Sequence, residues 1–146
     1  MSVSLPLSVE DQLAIQNLYA LYNLASDAAD EVAYADCFTD DGLMLSEEVG
    51  IEVRGRDALL EHKERDKANR KGRYRRHWNG NLYLESLENG EVRGRCYLIA
   101  YNGNPGELPT IADCGVYEDK LVKINGQWKF SSRILRMDAS TWKTRA

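Results

Sequence analysis

Two neighbouring stretches, RYRRHWNGNLYLESLE at 73–88 and EVRGRCYLIAYN at 91–102, decide the fold. Each alternates apolar and polar side chains, the period of a strand with one face buried, and Asn89-Gly90 between them is a hairpin dipeptide. The pattern predicts two long antiparallel strands. Downstream, a loop containing Gly103, Asn104, Pro105, Gly106 and Pro109 leads to a third strand near 111–123, and Asn125-Gly126 turns the chain into a fourth through Met137. Strands of this length must twist and curl.

Upstream the punctuation is helical. Ser8 with Asp11 makes a start resembling a capping box, and Leu13, Leu18, Leu21, Tyr22 and Ala25 recur at spacings of one stripe, predicting a helix over 9–28. Asp30 caps a shorter helix through Ala33, Ala35, Cys37 and Phe38, which Thr39, Asp40, Asp41 and Gly42 end with turn chemistry. Short strands are expected at 43–45 and 51–54. A third helix, highly charged and expected to be exposed, spans 56–69. The order α-α-β-β-α-β-β-β-β describes one α+β domain over residues 1–146, with a helical half at 9–70 and a long-stranded half at 73–138. The curled sheet is expected to wrap the helices and leave a hollow at its open end.

Composition narrows the function. The chain has 146 residues, 43% apolar and 29% charged, with net charge −4. This is the profile of a globular domain with no general attraction for nucleic acid or acidic lipid. The basic run KERDKANRKGRYRR at 63–76 carries interleaved acids and few stacking aromatics, so it reads as a solvated helix entering a strand. No stretch has the ~20 apolar residues of a membrane span, and MSVSLPLSVEDQ lacks a secretory pattern, which points to the cytoplasm. Cys37, Cys96 and Cys114 are widely spaced within apolar patterns, as buried free thiols are.

Several chemistries lack their residues. His62 and His77 stand far apart with no HExxH and no ligand-spaced cysteine pair, so no metal is expected. Neither GxGxxG nor GxxxxGK occurs, and no nucleotide cofactor is expected; GxSxG is also missing. One carboxylate and one imidazole remain. Asp27 ends the first helix in YNLASDAAD, and His77 lies within RRHWNGN on the first long strand. Read singly, Asp27 is a helix-end cap and His77 a hydrogen-bonded strand residue. Facing one hollow, the carboxylate would accept the imidazole N–H, fix its tautomer and raise the basicity of the other nitrogen.

The LYNLASD, RRHWNGN and DCGVYEDKLVKINGQWKFSSR motifs together resemble the SnoaL-like branch of the nuclear transport factor 2-like superfamily, over residues 9–138. The similarity is greatest to scytalone dehydratase, hexachlorocyclohexane dehydrochlorinase and bile acid 7α-dehydratase, in which an aspartate ending helix one pairs with a strand histidine. The resemblance implies a cystatin-like cone and cofactor-free elimination from a small hydrophobic cyclic substrate. It assigns catalysis to His77 and Asp27, with Tyr22 polarising the substrate. Asn81, Tyr101 and Arg136 are candidates for substrate binding, with Arg133 an alternative anion site on the last strand. The strands are also similar to the β subunits of ring-hydroxylating dioxygenases, which implies a structural role beside a larger iron-containing subunit. A non-catalytic ligand-binding module is a third reading. Trp78, Leu82 and Leu84 on one parity, with Tyr83 on the other, would leave apolar sheet surface exposed, predicting a homodimer or homotrimer.

Overall fold

The computed structural model describes residues 7–142. Helix α1, Val9–Ala28, starts where Ser8 Oγ accepts the Asp11 amide at 3.0 Å and ends in a left-handed Ala29. A short α2, Glu31–Asp36, is capped by Asp30, whose carboxylate accepts the Ala33 amide at 3.1 Å. Strands β1, Phe38–Ser46, and β2, Ile51–Arg54, flank a single 3-10 turn and precede α3, Arg56–Asn69. Four long strands follow: β3, Tyr74–Ser86; β4, Val92–Gly103; β5, Thr110–Ile124; and β6, Gln127–Ser140. They form a six-stranded sheet in the order β2-β1-β6-β5-β4-β3, antiparallel except where β1 runs parallel to β6. This is an α+β, cystatin-like architecture in which a curled sheet holds three helices.

Four local features depart from the sequence pattern. The residues 39–42 belong to β1 rather than to a turn: its pairing with β6 shifts register between Phe38 and Leu43. A side chain on Gly42 would come within 2.7 Å of Phe38 Cβ, so the irregular strand needs glycine there. The buried stripe of α1 is Ile15, Leu18, Tyr19, Tyr22, Ala25 and Ser26, while Leu13 and Leu21 are exposed. The interior selects tyrosines because their hydroxyls find partners, Asp119 for Tyr19 and Tyr34 for Tyr22. Around Asn89-Gly90 the connection spans residues 87–91, closed by the Leu87 amide on the Glu91 carbonyl. Asn125-Gly126, both at positive φ, makes the tight two-residue turn.

The fourth departure re-aims a strand. Between Gly80 and Tyr83, β3 advances one residue more than β4, a bulge in which Asn81 adopts φ 57°. His77 and Asn79 face inward before the bulge. Leu82 and Leu84 face inward after it and pack on the core. Trp78 therefore shares the outer face with Tyr83, Tyr97 and Ile99, not with the two leucines.

Beneath the helices lies a charge enclosed by rings. Arg133, fully buried, donates to Asp119 at 2.9 and 3.0 Å, and Tyr19 donates to the same carboxylate at 2.5 Å. The guanidinium carbon stands 3.7 Å from the Tyr117 ring centroid, 4.2 Å from Tyr22, 4.3 Å from Phe130 and 4.9 Å from Tyr19. None of the described helices is long and apolar enough to cross a membrane.

Candidate active site

The last turn of α1 is docked on β3 at two successive levels. Asn23 and Asp27 are four apart and share a helix face; His77 and Asn79 are two apart and share a strand face. Asn23 Nδ2 donates to Asn79 Oδ1 at 2.8 Å, and the Asp27 carboxylate meets His77 twice. Its Oδ1 lies 2.5 Å from His77 Nδ1, and its Oδ2 accepts the His77 backbone N–H at 3.1 Å. The two-point contact fixes carboxylate and ring together. With Nδ1 protonated toward Asp27, Nε2 keeps its lone pair. Arg70, the C-cap of α3, donates to the Ser26 and Asp27 carbonyls, bringing positive charge to the C-terminal end of α1.

The pair is nearly dry: the side chains of His77 and Asp27 are 7% and 11% exposed. His77 borders a cavity of about 50 Å³ between the helices and the sheet, room for a few water molecules. Tyr22, Tyr34, Lys63, Tyr117 and Met137 border it too. Asp66, Arg75 and Trp142 are shared with an outer vestibule of about 270 Å³, so Trp142 stands where the two spaces meet. Burial pushes the His77 imidazole below its ordinary value, the Asp27 hydrogen bond pulls it back, and the Arg75 charge lowers it again; the net shift is downward. The ring is thus neutral near pH 7. Burial raises Tyr22 well above the usual phenol value, so its hydroxyl stays protonated as a donor.

The remaining candidates divide. Tyr22 lines the cavity, with its hydroxyl 3.4 Å from that of Tyr34. Asn81 is exposed at the bulge, where its left-handed backbone explains its residue type without a ligand. Tyr101 lies on the parity opposite the buried Leu98 and Ala100 and lines no described cavity, whereas its neighbour Asn102 faces the vestibule. Arg136 projects outward beside Glu47 and Glu118, while Leu135 and Met137 line the cavity. Arg133, the alternative anion site, is fully buried, paired with Asp119 through Nε and Nη2, and lines no described cavity.

The expectation that α3 is exposed fails at two positions, Leu59 and Lys63, which are buried. Lys63 Nζ donates to Ser26 Oγ at 3.0 Å and Asp66 Oδ2 at 3.1 Å, and lies 4.4 Å from the Tyr34 ring centroid. His62 also borders the cavity, so two histidines fifteen positions apart in sequence share one space. Burial takes His62 down to about 4. Within the basic run only one signal could have marked Lys63, its four-residue spacing from buried Leu59.

Comparison with known proteins identifies the family. Among curated proteins none matches significantly. Of solved structures, a Mycobacterium tuberculosis protein of unknown function is 30% identical, with TM-score 0.78 over 90% of this chain and 74% of its own. A candidate scytalone dehydratase from Novosphingobium aromaticivorans is 25% identical, with TM-score 0.78 over 94% and 91%. A Nostoc punctiforme protein of unknown function with a cystatin-like fold is 24% identical, with TM-score 0.78 over 93% and 97%. The family includes isomerases and dehydratases, and its members typically bind small ligands and are often oligomeric. Residues 7–134 match the SnoaL-like domain. With that match and this fold, the chain belongs to the SnoaL-like family of the nuclear transport factor 2-like superfamily.

Proposed function

We propose that the chain is a cofactor-independent lyase acting on a small cyclic or aromatic compound by β-elimination or a related proton shift. The observation that carries this reading is the 2.5 Å contact of Asp27 with His77 Nδ1, which leaves Nε2 beside the cavity as a base. His77 takes the proton from carbon, the C–H electron pair becomes a double bond, and the leaving hydroxyl departs with the proton carried by the imidazolium. Asp27 orients the ring and stabilises its charged form, and the Tyr22 hydroxyl donates to a substrate oxygen. A ring-sized substrate needs the vestibule as well as the inner cavity, so Trp142 shifts when it enters.

His77→Gln tests the assignment. A positioned base contributes about 10²- to 10⁴-fold, so turnover of phenolic, steroidal or polyketide-like substrates should fall by that factor with circular dichroism unchanged. Retained turnover in the folded variant refutes it. The exposed Trp78, Tyr83, Tyr97 and Ile99 on the outer sheet face support self-association. Sedimentation as a monomer at micromolar concentration would count against that.

A further inference from the structure

Among the basic side chains of α3, Lys63 is the one turned into the protein: it is 5% exposed, whereas Arg56 and Arg65 lie outside. A buried ammonium is costly unless its donors are used. Its described hydrogen bonds, to Ser26 and Asp66, occupy two of three N–H groups. Asp66 is in turn shared with Arg70 at 2.8 Å, so its negative charge is divided between two cations. Lys63 and His77 border the same cavity, and the Lys63 charge is felt at the imidazole, where it opposes protonation. A cation there does nothing for a base that must become positive. Its presence is useful if negative charge develops alongside.

We propose that Lys63 is the oxyanion-stabilising residue of this site, binding a carbonyl oxygen whose negative charge grows as His77 removes the proton on the adjacent carbon. The inference rests on the lyase reading and assigns its substrate class: enolisable cyclic ketones with a β-hydroxyl, not compounds whose elimination builds no charge on oxygen. The balance is simple. The C–H pair forms the enolate C=C, the carbonyl pair moves to oxygen beside Nζ, and the proton resides on His77 Nε2. As the enolate collapses, the oxygen pair re-forms the carbonyl, the enolate C=C pair becomes the α–β double bond, and the β-hydroxyl leaves with that proton as water.

The surroundings suit a lysine held protonated for this purpose. Asp66 and His62 flank it on α3, Arg70 shares Asp66 with it, Ser26 approaches from α1 and the Tyr34 ring from α2, and Arg75 and His77 border the same cavity from β3. Burial takes the ammonium down to about 8 while Asp66 holds it up, so the cation persists at neutral pH. Burial pushes Asp66 up, but Lys63 and Arg70 hold it down to about 2.

Two probes separate this inference from the role of His77. The first is 4-nitrophenol, whose phenolate is read by absorbance. Bound to the native protein or to His77→Gln its ionisation constant should be at least tenfold larger than in solution, and Lys63→Met should abolish the excess. The second is α-proton exchange of 2-tetralone in deuterium oxide, followed by NMR. His77→Gln should stop catalysed exchange, and Lys63→Met should slow it by about 10²- to 10³-fold, the loss typical of one oxyanion donor. Lys63→Gln guards against a folding artefact of the first variant, with both checked by circular dichroism. Silent exchange in His77→Gln with native-like exchange in both Lys63 variants overturns Lys63 and spares the base. Native-like exchange in His77→Gln overturns the base, and an unshifted nitrophenol spectrum with the native protein overturns the oxyanion site.

Discussion

Replacing Asp27 by asparagine exploits the two-point contact. The carboxylate accepts from the His77 backbone N–H at 3.1 Å and from ring Nδ1 at 2.5 Å. A carboxamide has one oxygen and one NH2. The buried backbone N–H can only donate, so it claims the oxygen. The NH2 then faces Nδ1 and forces that nitrogen to accept, moving the ring proton to Nε2, the atom that must receive the substrate proton. Both hydrogen bonds persist in number, so stability should fall by no more than about 1 kcal/mol. The base is lost, which at 10²- to 10⁴-fold corresponds to about 3–5 kcal/mol of barrier. The assay pairs tetralone exchange with 15N NMR of the imidazoles, a tractable spectrum because the chain has 2 histidines. Exchange within tenfold of native, or a ring that keeps its proton on Nδ1, would refute the reasoning.

The remaining predictions concern pH and the core. Activity should fall in acid as His77 takes up a proton below 6.5, its ordinary value, because its folded value is lowered. It should also fall above about 8 as Lys63 loses its proton, and Lys63→Arg should remove that basic limb from the profile. Stability follows the same sign: a histidine with a depressed folded value contributes fully above 6.5 and loses the contribution as pH falls. His62, at about 4, should cost about 3 kcal/mol between those limits in urea titrations, and a flat pH profile there would exclude it. Asp119→Asn leaves Arg133 buried without its counter-charge and should cost about 3–5 kcal/mol. That is roughly 6–20 °C in Tm for a chain of this size; a loss below 1 kcal/mol would show the pair to be dispensable.

Element identity was written locally, and facing was not. Ser8, Asp30 and Asn125-Gly126 mark boundaries because capping and turn chemistry act within a few residues. Elimination of other chemistries singles out Asp27 and His77, and the family resemblance pairs them, since only a helix end laid on a strand brings residues fifty apart into contact. What escaped depended on one residue changing a whole face. Asn81 reverses the parity of the rest of β3, so Trp78 and Leu82 part company although their spacing matches. Lys63 was hidden for a different reason. A run of charge averages to a solvated helix, and nothing in the average reveals which cation α1 and α2 will enclose. Gly42 looked like a stop because its need for close approach and a need for a turn leave the same letter in the sequence.

The ring-enclosed guanidinium bears on redesign of this cone. Arg133 is shared by Tyr19, Tyr22, Tyr117 and Phe130, and three of those rings also shape the chamber wall or anchor the first helix. Trimming any one of them to admit a bulkier guest strips a face from the cation without releasing it, so enlargement from below is an all-or-none exchange. Room for new guests is more cheaply found at the threshold, by shortening Trp142 or Met137, where no buried charge depends on the side chain removed.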